Sequence, residues 1–82
     1  MNYIVHIPSQ LASALRSRRK TLQLTQKEAA AAVGLLPKTV SGLETAPERC
    51  SLASFFKLLS ALELELVLRP KNDKRETDDL PW

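Results

Sequence analysis

A mainly helical domain of four to five helices, built on a helix-turn-helix and followed by a single C-terminal strand, is the fold class this sequence predicts. Three observations predict it. Residues 25–44, TQKEAAAAVGLLPKTVSGLE, carry the start, stop and restart signals of two short helices around a glycine turn. Residues 52–62 space Leu52, Phe55, Phe56, Leu59 and Leu62 as one apolar face of a further helix. At residue 63 the period changes from 3.6 to 2, and Leu64, Leu66 and Leu68 alternate with Glu63, Glu65 and Val67 up to Pro70.

The chain has 82 residues, which allows one domain with a small core, and association with a second copy would help to stabilise it. Residues 1–70 form that domain and residues 71–82, KNDKRETDDLPW, read as a flexible charged tail. Charge is unevenly spread. Residues 1–62 carry eight Lys or Arg against three Asp or Glu, whereas residues 63–82 carry four against six. A basic body favours a polyanionic partner. His6 and Cys50 are the lone residues of their types, too few for a zinc site, and no disulfide framework is possible. No cofactor is expected. No apolar run approaches the roughly 20 residues of a membrane span, and residues 1–10 lack the features of a signal peptide, so a cytoplasmic location is expected.

Taken in order, residues 1–7 are apolar and β-branched and read as a short strand or an N-terminal arm. A first helix starts at Pro8 or Ser9, with an apolar stripe of Leu11, Ala14 and Leu15. It ends in a basic cluster of Arg16, Arg18, Arg19 and Lys20, which complements the negative end of the helix dipole or holds phosphates, or both. Leu22 and Leu24, in the connector that follows, point to the core.

Thr25 caps the next helix, and Glu28 reaches back to the Thr25 N–H to complete a capping box. Four alanines, 29–32, are small enough for a crossing helix to approach closely. Gly34 suits the left-handed residue that ends a helix, and Pro37 fits the first turn of another. Val40 and Leu43 share that helix's inner face and leave Lys38, Thr39, Ser41 and Gly42 pointing elsewhere. Gln26, in the first turn after the cap, is placed to reach a DNA phosphate. An ordinary helical hairpin is the competing reading of the segment. Ser51 caps the last helix, in which Phe55 and Phe56 are core packing rather than stacking platforms. The strand 64–68 cannot satisfy its own backbone groups, so pairing with the same strand of a second subunit is expected. Its alternative is a continuation of the helix.

The stretch TQKEAAAAVGLLPKTVSGLE resembles the helix-turn-helix of the phage-repressor-like (Cro/CI, or XRE) family, through Thr25, Gln26, Glu28, Gly34, Thr39, Ser41, Leu43 and Glu44 over roughly residues 9–62. This implies a lambda-repressor-like fold. It also implies a structural pair between Arg19 and Glu44. SLASFFKLLSALELELVLRP, a Phe-Phe helix running into an alternating strand, and the final Trp82 resemble the HipB-like antitoxins within that family. That resemblance implies a homodimer with paired C-terminal strands. It implies repression through palindromic operators in the protein's own promoter, and neutralisation of a HipA-like serine/threonine kinase toxin.

On this reading Pro37, Lys38, Thr39 and Ser41 contact bases. Arg16, Arg18, Arg19, Lys20 and Gln26 hold phosphates, Leu64, Leu66 and Leu68 form the dimer face, and Trp82 is a docking residue for the partner. The chain departs from the family pattern at Leu36, where a polar cap or base-contacting residue is common. It departs again at Pro37 and Gly42, which replace frequent readers. Lys38 then donates to guanine, and the Thr39 methyl meets a thymine methyl. A stand-alone repressor without a toxin is the alternative function, and a pure protein-interaction module is a third. No pairing of groups suited to catalysis appears in the sequence, so an enzyme is not expected.

Overall fold

A computed structural model describes residues 2–71. The chain forms four α-helices: α1 (Pro8–Thr21), α2 (Gln26–Ala32), α3 (Pro37–Leu43) and α4 (Leu52–Ala61), with a 3₁₀ turn at Pro47–Arg49 before α4. Residues 2–7 are an arm without regular structure, and Ile4 and Ile7 stand exposed on it. The choice at the start of α1 falls on Pro8, which takes the first helical position, where a missing N–H has no consequence. Gln10 reaches back and its Oε1 accepts from the His6 and Ile7 N–H groups at 2.6 and 3.3 Å.

Leu15, Ala29, Ala30, Val40, Leu43, Phe55, Leu58, Leu59 and Leu62 form one core cluster. α2 packs on α3 and both pack on α4. Ala29 and Ala30 are fully buried, and having no side chain beyond Cβ they let α3 approach. The buried stripe of α4 is Phe55, Leu58, Leu59 and Leu62. Leu52 and Phe56, assigned to that face from the sequence, are exposed. At 100° per residue Phe56 lies roughly 110° from the centre of the buried stripe, too far round to reach the core.

Three helices end in the same way. Beyond α1, the Leu24 N–H donates to Arg19 O at 3.1 Å. Beyond α2, Leu35 N–H donates to Ala30 O at 2.9 Å. Beyond α4, Leu64 N–H donates to Leu59 O at 2.9 Å. Each is the 6→1 bond of a Schellman turn, and in each the residue before the leucine is left-handed: Gln23 at φ 61°, Gly34 at 71° and Glu63 at 57°. Each leucine folds back onto the core.

The turn at Glu63 therefore ends α4, and the helix does not continue through the leucine-rich segment. It also alters the reading of Leu64, which is half-buried against the core, whereas Leu66 is 50% and Leu68 88% exposed. Leu64 packs on the domain core, and Leu66 and Leu68 extend beyond it. Among the described residues no strand forms within the chain. Among the described residues the backbone of 65–70 makes no hydrogen bond. Trp82 and the rest of the tail beyond Lys71 lie outside the described residues.

Candidate nucleic-acid interface

α2 and α3 are seven residues each, far too short to be stable as isolated helices. α2 is held at its start by the expected capping box. Thr25 Oγ1 accepts from the Glu28 N–H at 3.0 Å, and Glu28 Oε1 accepts from the Thr25 N–H at 2.9 Å. α3 has Pro37 at its first position and Leu36 as its N-cap, with no side-chain capping bond. Its hold comes from behind. Val40 and Leu43 are fully buried, and Glu44, its C-cap, is 3% exposed.

Glu44 is the centre of a buried polar node. The Arg19 guanidinium donates to both of its oxygens, Nε to Oε2 at 2.6 Å and Nη2 to Oε1 at 3.0 Å. Its remaining arm, Nη1, donates to Leu24 O at 2.9 Å. The Gln26 amide donates to Glu44 Oε1 at 3.1 Å. One carboxylate thus ties together α1, α2 and α3, with its acceptors satisfied, and Arg19 adds the connector. The hydrogen bonds that Arg19 donates to Glu44 raise its pKa above that of an ordinary arginine, against the cost of burial, so the charge persists at any working pH.

The node confirms the expected Arg19–Glu44 pair and removes Arg19 from the phosphate-holding set. Arg19 is 8% exposed and its guanidinium donors face the protein. Gln26, expected at a phosphate, turns its amide to Glu44 instead. Arg18 donates from Nε to the Leu62 carbonyl at 2.9 Å, so it holds the C-terminal end of α4. Arg16 and Lys20 remain exposed. So does Lys27, which the sequence reading passed over. It follows Gln26 in the first turn of α2, and the signal for it appears only once Gln26 is known to face inward.

On α3, Pro37 and Lys38 are exposed, and Thr39 and Ser41 are half-buried. The Ser41 carbonyl accepts from the Thr45 hydroxyl at 2.7 Å, which closes the end of the helix. Gly42 faces the loop before α4, where an added Cβ would sit 3.4 Å from Cys50 Sγ. That is an ordinary van der Waals contact, and it places the Cβ direction of Gly42 toward the protein. The arrangement is a short helix pinned through one side, presenting the other side and its N-terminal end. That is the geometry with which a helix-turn-helix enters the major groove.

The comparisons agree. A family model described as helix-turn-helix matches residues 15–68. The antitoxin HipB of Escherichia coli O6:H1 is 38% identical over 82 residues, covering 95% of this chain and 87% of the relative. HipB of Escherichia coli K12 is 35% identical, covering 95% and 93%. Among solved structures, a chain of the HipA–HipB–O2–O3 complex superposes with a TM-score of 0.80 at 35% identity, over 84% of this chain and 97% of that one. A chain of a HipB–O4 20mer complex gives 0.77 at 36%, over 80% and 93%. The chain belongs to the HipB antitoxin family of helix-turn-helix proteins.

Proposed function

We propose that this protein is the DNA-binding antitoxin of a toxin–antitoxin pair. It represses transcription as a dimer on palindromic operator DNA in its own promoter, and it neutralises a HipA-like serine/threonine kinase toxin in the cytoplasm. The observation that carries this reading is the likeness to HipB over 95% of the chain, including a relative solved in complex with HipA. The exposed N-terminal end of α3 supports it independently.

In this reading each subunit places α3 in a major groove, with half-sites about one helical turn, roughly 34 Å, apart. Lys38, Thr39 and Ser41 contact bases, and Pro37 lies against the groove. Arg16, Lys20 and Lys27 hold phosphates. Leu66, Val67 and Leu68 are exposed apolar residues just beyond the last helix. Strand pairing across a two-fold axis would cover them and supply the backbone partners that a lone segment lacks.

Purification of the tagged protein from its native cell tests the partner. A kinase-like chain in fixed ratio is the expected result, and recovery of DNA without any protein partner leaves a stand-alone repressor. Lys38→Ala tests the reader. Loss of a good guanine contact is worth about 1–3 kcal/mol of discrimination, so the affinity for operator should fall by roughly tenfold or more while that for random DNA changes much less. Equal loss on both would assign Lys38 to the backbone.

A further inference from the structure

We infer that Leu36 is a specificity-determining residue that reads a thymine methyl group in the operator half-site. The inference rests on the DNA-binding reading above. Leu36 is the N-cap of α3, yet it gives that helix no side-chain bond. Ser, Thr, Asp or Asn there would stabilise the helix, so leucine is a locally poor choice. Packing does not explain it, because Leu36 is 59% exposed. The structural duties at this corner belong to its neighbour. Leu35 ends the turn after α2 and, with Val40, holds the two positions of a hydrophobic staple on α3, both residues packed in the core. Leu36 is left as an exposed branched alkyl group, next to exposed Pro37 and Lys38, at the end of the helix that meets base edges.

A leucine side chain can neither donate nor accept a hydrogen bond. Against most base edges in the major groove it would strip water from donors and acceptors without replacing it. The one apolar group offered there is the C5 methyl of thymine. The side chain therefore selects for a thymine at the position it covers and against the other bases.

The test uses the full-length dimer and a duplex that it enriches from a random pool. Binding is measured at fixed salt after replacing each thymine with uracil, which removes only the methyl. Burying one methyl is worth roughly fourfold per half-site, or about fifteenfold when both halves are substituted. Such a loss is expected at one thymine position for the native protein and is expected to vanish in Leu36→Ala. Leu36→Ser should raise the melting temperature by several degrees through a restored cap, while weakening operator binding. Operator affinity unchanged in both variants would overturn the inference and leave the repressor reading intact, as would the same uracil profile for native protein and Leu36→Ala. Loss of stability in Leu36→Ser would return the leucine to packing, and selective loss of a protein partner would make it a docking residue. A pool that yields no enriched sequence overturns the repressor reading and this inference together.

Discussion

α2 and α3 have the same length and meet at the same turn, but they are stabilised from opposite ends. α2 is secured by its own first turn, where Thr25 and Glu28 exchange bonds with each other's backbone. α3 has no side-chain cap and is secured by its last turn, through Val40, Leu43 and the buried Glu44. The difference leaves the first turn of α3 without a side-chain cap. With the anchors on its inner side and at its C-terminal end, α3 leaves the side chains of Leu36 and Lys38 free of structural bonds.

The strongest way to break this contrast is Glu44→Ala, which leaves Arg19 charged and buried. A loss of about 3–5 kcal/mol is expected, a large part of the whole stability of a domain this size, and denaturant titration measures it. Arg19→Met combined with Glu44→Leu should recover most of that loss, because paired apolar replacements of a buried ion pair are often neutral. Thr25→Ala tests the other end. It removes a cap and should cost about 1 kcal/mol, whereas the matching change at the start of α3, Leu36→Ala, should move stability by less than about 0.5 kcal/mol. One further effect carries the opposite sign. Gln23 and Glu63 hold left-handed positions that Gly34 holds without strain. Gln23→Gly or Glu63→Gly should stabilise by about 0.5–1 kcal/mol, the relief of left-handed strain less the backbone freedom of glycine, read as a rise in melting temperature.

The sequence discloses the parts of this fold whose signals are local. Thr25 with Glu28, Gly34 and Pro37 each announce a backbone need within four residues, and the structure meets each of them. Gln23 and Glu63 announce nothing, since neither residue type prefers the left-handed region it occupies. The stripe on α4 is misread because Leu52 and Phe56 satisfy i, i+3 and i+4 spacings while sitting to one side of the residues that meet the core. Among the candidate site residues, charge alone groups Arg16, Arg18, Arg19 and Lys20. Only tertiary packing separates the two that bind protein acceptors from the two that stay exposed. The Arg19–Glu44 pair spans 25 positions and was foreseen through family resemblance, not from spacing. The strand expected at 64–68 depends on backbone groups that one chain cannot supply.

The node at Glu44 has a consequence for how the three helices come apart. A carboxylate and a guanidinium in a dry interior tolerate no intermediate arrangement: with α1, α2 or α3 displaced, one of them faces apolar surroundings alone. The three helices are therefore a single cooperative unit, and the surface that α3 presents exists only while all of them are docked. Such a domain is expected to open as one unit, so the exposed side of α3 is present only in the folded state.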